Sequence, residues 1–249
     1  MRHDGRAYDE ARRLELEPGF TTNPAGSVLV RCGRTMVLCT ATLEDRVPRF
    51  RLGVGGWLTA EYAMTPGSTR DRFARESMRG KVKGRTHEIQ RLIGRSLRAA
   101  IDLEALGEHT IHLDCEVLQA DGGTRTASIT GAWVALALAV DQLLENETLE
   151  TSPLIAQVAA VSCGVVDGDV VVDLDYVEDS SAEVDANLVM THTGEFVEVQ
   201  ATGEGGTLAR AQLVRMLDAG ETTIRSWMKA QQLALSAGAL QRLGVEPVA

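Results

Sequence analysis

"TIHLDCEVLQADGGTRTASITGAWVALALAVDQLL", residues 110–144, passes through three patterns in succession. The first part alternates. Ile111, Leu113, Cys115 and Val117 share one face and His112, Asp114 and Glu116 the other, the period-2 signature of a half-buried strand. The last part, Ala127–Leu144, is rich in alanine and other small residues and reads as a helix that can pack closely against a sheet. Between them lie Asp121, Gly122, Gly123, Thr124, Arg125 and Thr126. The glycines free the backbone, the threonines offer hydroxyls, and the arginine offers a planar five-donor fork. A helix start adds unpaired N–H groups and the positive end of the dipole. Every component suits an anion. The plainer alternative is a glycine turn in which Asp121 and Thr126 cap the helix. The chain contains neither a Walker A loop nor a GxGxxG fingerprint, which argues against nucleotide triphosphatase and dinucleotide roles.

Outward from this unit, "GSVLVRCGRTMVLCTATLE" predicts a hairpin, Val28–Arg31 and Met36–Leu43 flanking a Cys-Gly-Arg-Thr turn. A short strand is expected at Trp57–Ala63, then a long basic loop. "THEIQRLIGRSLRAAIDLEAL" is a helix whose Ile89, Leu92, Ile93, Leu97, Ala100 and Ile101 form one stripe, with Arg85 just before its start. In the second half, "QVAAVSCGVVDGDVVVDLDYVED" repeats the hairpin idea around Asp-Gly-Asp, with Asp173 and Asp175 on one strand face. "EFVEVQAT" predicts a strand, and a helical tail runs from about Thr207 to Leu240. The class is α+β, with mixed or antiparallel sheets packed with helices and a rough two-fold rhythm.

With 44% hydrophobic and 24% charged residues the composition is that of an ordinary globular protein. The charged N-terminus has no apolar h-region, and "AWVALALAV" is about half a membrane span, so a cytoplasmic protein with no membrane partner is expected. Cys32, Cys39, Cys115 and Cys163 form no CxxC pair and sit in strand-like runs, which predicts buried free thiols.

The net charge of −10 argues against generic nucleic-acid binding, but the charge is uneven. Gly67 to Arg98 holds ten Lys or Arg against three acids, so this stretch is +7 and the remainder −17. That asymmetry points to a local polyanion-binding stripe, weighed evenly against a solvated loop and helix face. Six acids, Asp173 to Asp185, cluster in "DLDYVEDSSAEVDAN". Such carboxylates can hold Mg²⁺, or one can act as general acid with a raised pKa; the bland reading is a solvated acidic loop. His112, Asp114 and Glu116 read better as a polar sheet face than as metal ligands. Polyanion stripe, oxyanion cradle and clustered carboxylates together fit phosphoryl chemistry on a nucleic-acid backbone.

Seven segments carry a resemblance: "MRHDGR", "GSVLV" with "VLCTAT", "GWLTAEYAM", "GRTHEIQRLIGRSLRA", "LQADGGTRTASITGA", "DLDYVEDSSAEVD" and "FVEVQATGEG". In this order, nearly end to end, they resemble the bacterial RNase PH family, phosphorolytic exoribonucleases also called tRNA nucleotidyltransferases. The resemblance implies a ribosomal-protein-S5-like ββαβα-type core in each half of one domain, about 1–146 and about 153–249. It implies a homo-hexamer built as a trimer of dimers. Inorganic phosphate is the implied co-substrate, bound by Arg85, Gly123, Thr124 and Arg125. Asp179 and Asp185 are the implied catalytic carboxylates and metal ligands for a divalent cation, Mg²⁺ by expectation. Arg70, Arg72 and Arg75 fall on the family's RNA-binding loop. Family members trim 3′ extensions of tRNA precursors and release nucleoside diphosphates, reversibly. Two departures lie in the RNA-docking region. Thr65-Pro66-Gly67 stands where relatives commonly carry arginine after Leu-Pro, with Arg70 where they often carry histidine, and the glycine stretch before Trp57 is one residue shorter.

The residues support a matching reaction. Phosphate held by Arg85 and the Thr124/Arg125 cradle attacks the terminal phosphodiester in line. Asp185, or Asp179 through a metal or water, protonates the departing 3′-oxygen. Asp185 is preferred as the acid because it stands furthest from the other acids. Two rivals remain on the sequence: a non-catalytic ring subunit, which would lack the cradle arginine or paired aspartates, and a small-molecule phosphotransferase, which would need a glycine-rich nucleotide loop.

Overall fold

The computed structural model describes residues 2–72, 74–76, 80 and 82–245. The first sheet holds β1 (Leu14–Pro18), β2 (Gly26–Cys32), β3 (Thr35–Glu44), β4 (Trp57–Met64) and β5 (Thr110–Gln119) in the order β1-β2-β3-β5-β4. All pairs are antiparallel except β4 with β5, which are joined through the crossover helix α1 (Gly84–Arg98). The alternation read in 110–119 is the observed one: Ile111, Leu113, Cys115 and Val117 are buried, and the residues between them face the other side.

Helix α2 (Thr124–Glu145) follows β5 and is the centre of the molecule. It packs on β2 and β3 with one side and on β6 (Val158–Val166) with another. This burial explains why α2 has the length and hydropathy of a membrane span. Its approach to β2 is close enough to demand missing side chains. A Cβ on Gly131 would lie 2.2 Å from Val30 Cγ2, and one on Gly26 would lie 1.9 Å from the Ala135 carbonyl oxygen.

The second sheet has the order β7-β6-β8-β9 and is antiparallel throughout. It contains β7 (Asp169–Val172), β8 (Val184–Thr191) and β9 (Phe196–Gly203), and the four-residue helix α3 (Tyr176–Asp179) lies between β7 and β8. The β6–β7 turn is made by Asp167 and Gly168, both at positive φ (51° and 81°), the geometry favoured in two-residue hairpins. Helix α4 (Arg210–Leu233) covers the face of this sheet turned away from α2, through Met216, Ile224, Trp227 and Met228. The α+β architecture thus agrees with the expectation, and all four cysteines are free and buried.

Four local expectations need correction. Arg85 lies inside the first turn of α1, not before it, and that helix ends at Arg98, so Ile101 instead makes an isolated bridge to Leu154. Helix α2 begins at Thr124, ahead of the expected Ala127. Asp173 and Asp175 do not share a strand face: β7 stops at Val172, Asp173 is left-handed (φ 54°), and Asp175 caps α3. The C-terminal tail divides at Ser236, whose hydroxyl accepts from the Ala239 N–H (3.1 Å) to start α5 (Ala237–Leu243).

Candidate active site

The glycine loop is shaped by left-handed backbone at both Gly122 (φ 75°) and Gly123 (φ 62°). Space excludes a side chain as firmly as chirality does: a Cβ on Gly122 would lie 2.4 Å from the Leu174 carbonyl oxygen. Gly123 is the N-cap of α2, and no side chain caps the helix. The Asp121 carboxylate accepts from no helix N–H, its backbone carbonyl accepts from Arg12, and Thr126 Oγ1 donates to the Gly123 carbonyl (3.0 Å) instead of accepting. The first N–H groups of α2 therefore open onto a cleft at the positive end of the dipole, as an anion site requires. Tyr62 fixes the Thr124 hydroxyl from β4 (2.9 Å).

Arg125 projects from the first turn of α2. Its Nη1 donates to Gln200 Oε1 on β9 (3.2 Å) and to Glu88 Oε1 on α1 (3.4 Å), and its side chain is only 13% exposed. The remaining donors of the fork are uncommitted among the described residues. Arg85, exposed on α1, forms no hydrogen bond or ion pair with any described residue and lines the same cleft.

The carboxylates arrive from the second sheet. Asp175 and Glu178 form a reciprocal capping box around α3, with Asp175 Oδ1 accepting from the Val177 and Glu178 N–H groups (2.9 and 3.1 Å). An N-terminal arm then clamps this turn. Arg2 donates to both Glu178 oxygens, His3 Nε2 meets Asp175 Oδ2 at 2.6 Å, and Arg12 grips Asp173. Asp179, at the end of that turn, is the carboxylate left open to the cleft. Asp185 lies on β8, opposite Gly164 of β6.

Burial pushes the Asp185 carboxyl above the usual range, the charge of Asp179 pushes it further, and Arg125 and Arg85 pull it back. Asp179 is exposed at the rim, yet the surrounding protein also raises its pKa, opposed by Arg85, Arg125 and Arg12.

One cleft of about 830 Å³ gathers Arg85, Gly123, Thr124, Arg125, Asp179 and Asp185 with Arg70 and Arg72. Arg75 is not among its lining residues; its charge is felt by Glu116 on the outer face of the first sheet. The basic stretch is also partly committed elsewhere. Arg95 pairs with Glu198 (2.8 Å), and Arg98 lies 5.0 Å from the Trp57 ring centre. Arg79 and Lys81 lie outside the described residues. Arg34, exposed at the β2–β3 turn, lines the cleft although nothing in its sequence context singles it out.

Two candidate cation sites differ in what is left to bind. His3, Asp175 and Glu178 lie within ligating distance of one another, but Arg2 and the helix cap already occupy the two carboxylates. Asp179 and Asp185 offer hard oxygen donors with no hydrogen-bond partner among the described residues. That donor set fits Mg²⁺, which commonly takes one or two carboxylates and completes its shell with water and substrate phosphate. His112 pairs with Glu44 (3.1 Å), as a polar sheet face would.

Residues 10–140 match domain 1 of the 3′ exoribonuclease family, and residues 156–223 match domain 2 of the same family. The chain belongs to that family, in its ribonuclease PH branch. It is 62% identical over 237 residues to the ribonuclease PH of Corynebacterium kroppenstedtii, covering 95% of this chain and 93% of that one. It is 63% identical over 235 residues to the ribonuclease PH of Corynebacterium glutamicum, covering 94% and 96%. Among solved structures, rice (Oryza sativa) Rrp46 superposes with TM-score 0.77 at 17% identity, over 94% of this chain and all of that one. An Archaeoglobus fulgidus exosome with RNA bound to its active site gives 0.75 at 22% identity, over 90% of each chain. These two likenesses carry the fold.

Proposed function

We propose that the cleft performs phosphorolysis of the 3′ end of RNA, with inorganic phosphate as the nucleophile. One observation carries this reading: an uncapped helix start and two arginines converge on the same cleft as two carboxylates of raised pKa. The N–H groups of α2, Arg85 and Arg125 hold phosphate. A phosphate oxygen attacks the phosphorus of the terminal phosphodiester, a new P–O bond forms, and the bond to the 3′-oxygen of the preceding nucleotide breaks. Asp185, whose pKa burial and the charge of Asp179 raise, gives its proton to that departing oxygen. The products are an RNA one nucleotide shorter with a free 3′-hydroxyl and a nucleoside diphosphate; the reverse reaction adds a nucleotide.

A divalent cation held by Asp179, and by Asp185 once its proton has left, would neutralise charge on the phosphoryl oxygens. Arg34, Arg70 and Arg72 form the mouth through which the RNA backbone enters, with Arg75 further out. In the family reading the substrates are tRNA precursors with 3′ extensions, the assembly is a homo-hexameric trimer of dimers, and the compartment is the cytoplasm. The α2 loop thus holds the attacking phosphate and the arginine mouth holds the RNA.

Incubation with a 3′-extended tRNA precursor, with and without inorganic phosphate, tests the reaction. Nucleoside diphosphates released only with phosphate are expected. Release of nucleoside monophosphates, or activity independent of phosphate, overturns the reading. Light scattering of the intact protein tests the hexamer.

A further inference from the structure

The face of the second sheet that meets α2 changes character along its length. Near the middle of α2 it is apolar, with Ala160 opposite Val189, and Thr130 of α2 bonded to the Ala160 backbone. One strand repeat further, toward the start of α2, Ser162 stands directly opposite Asn187, and Gly164 opposite Asp185 follows. Because side chains alternate along a strand, Asn187 and Asp185 share that face. Both Ser162 and Asn187 line the cleft and are almost fully buried, at 3% and 4% exposure.

Neither side chain has a partner among the described residues. Ser162 Oγ is buried with no hydrogen bond, and the Asn187 amide, which bonds no described residue, is on the cleft lining and not sealed from it. A buried hydroxyl such as that of Ser162 is rarely left this way, and the exception calls for a ligand or bound water. Serine hydroxyl and asparagine amide both donate and accept, whereas the phosphate cradle offers donors alone. A mixed donor and acceptor pair matches a hydroxyl better than an oxyanion, which would face the amide oxygen unfavourably.

We infer that Ser162 and Asn187 form a subsite for a ribose hydroxyl at the 3′ end of the RNA. The subsite sits one strand repeat below Asp185, and the inference rests on the phosphorolytic reading of the cleft. The 2′-hydroxyl is the group that distinguishes RNA from DNA at a given site, so the pair makes the site sensitive to sugar type.

The test uses oligoribonucleotides that differ only by one 2′-deoxy position, at the last or the penultimate nucleotide. The rate of nucleoside diphosphate release is measured for wild type, Ser162→Ala and Asn187→Ala. Wild type should prefer the all-ribo substrate over one of the deoxy substrates, and that position identifies the sugar held. Each variant should slow the all-ribo reaction about three- to tenfold, the worth of one hydrogen bond, and lose the preference at the same nucleotide. Any effect of sugar pucker is common to all three proteins and cancels in this comparison. Ser162→Ala removes a single oxygen and carries the test even if Asn187→Ala folds poorly. The inference is overturned by a preference that survives in Ser162→Ala, or by a wild type that shows none. A raised KM for phosphate with the sugar preference intact also overturns it, by assigning the pair to the anion. If wild-type protein releases no nucleoside diphosphate from the all-ribo substrate, it is the phosphorolytic reading that fails.

Discussion

Arg12 binds Asp173 as a fork, with Nη2 to Oδ1 at 2.7 Å and Nε to Oδ2 at 2.9 Å, and the Arg12 backbone N–H adds a third bond at 2.7 Å. The same guanidinium donates to the Asp121 carbonyl, so a single side chain ties the glycine loop of the first half to the carboxylate turn of the second. Both partners are buried, and the pair's charge strengthens the arginine's hold on its proton. Arg12→Ala strips the fork from the buried Asp173 charge and leaves it Arg6 at 3.5 Å and the backbone N–H of residue 12. The cost is at most that of a broken buried pair, about 3–5 kcal/mol. Urea denaturation should show that loss, and Arg12→Met combined with Asp173→Asn, which tolerates the left-handed backbone at 173, should recover part of it. Equal stability of Arg12→Ala and wild type would show that the fork contributes nothing.

The two open carboxylates make a pH prediction. Asp185 is raised first by burial and next by the charge of Asp179. A general acid loses activity as pH rises through its pKa, so a lower pKa begins that loss earlier. Asp179→Asn removes the like charge, and the alkaline fall in kcat for phosphorolysis should move to lower pH. Stability should respond to Asp185 as well. Its folded pKa lies above the unfolded value of about 3.9, so its contribution favours folding in acid and is lost as pH rises through the folded value. Asp185→Asn should therefore gain in Tm relative to wild type at pH 7, at about 2–4 °C per kcal/mol of relief, and converge with it near pH 3. An unchanged Tm difference across that range would contradict the raised value.

Much of this site is legible in the sequence because it depends on local pattern. Alternation in 110–119 fixes β5, the two glycines fix the turn, and the run of small residues fixes α2. The site of Asp185 is not legible. Residues 184–187 read as the end of an acidic loop, yet they open β8, which is paired on both sides by β6 and β9. A strand packed by α2 on one face and α4 on the other need not alternate polar and apolar residues, and here Asp185 and Asn187 break the apolar run because they face the cleft. The N-terminal clamp is hidden for a different reason. Arg2 and Glu178 meet across 176 residues, and no periodicity or spacing encodes such a contact. Gln200 and Glu88 likewise reach Arg125 only through the packing of β9 and α1 around α2.

The arginines of the basic stretch should separate into two groups. Arg70 and Arg72 line the cleft mouth, whereas Arg75 lies outside it, near Glu116. Arg70→Ala with Arg72→Ala should weaken binding of a 3′-extended tRNA precursor and reduce its salt slope by about 0.7–0.9 for each phosphate no longer neutralised. Phosphorolysis of short oligonucleotides should be much less affected. Arg75→Ala should change the slope less than either. Binding isotherms between about 50 and 200 mM salt decide this, and a steeper loss from Arg75→Ala would place the RNA path along the outer sheet face.

Arg125 offers the most direct test of the cradle. Arg125→Ala should leave the fold intact, because the fork is tied only by two long bonds, to Gln200 at 3.2 Å and Glu88 at 3.4 Å. Loss of a donor aimed at an oxyanion costs about 10²–10³-fold in rate, and KM for phosphate should rise with it. Arg125→Lys should recover little, since an ammonium cannot match two phosphate oxygens at once. Gln200→Ala removes one of the two tethers and leaves Glu88. It should raise KM for phosphate about three- to tenfold with a smaller change in kcat, because the arginine remains but must be ordered on binding. Initial rates against phosphate concentration distinguish these outcomes. Normal phosphate saturation in Arg125→Ala would remove this side chain from the anion site and leave Arg85 with the helix start as its only holders.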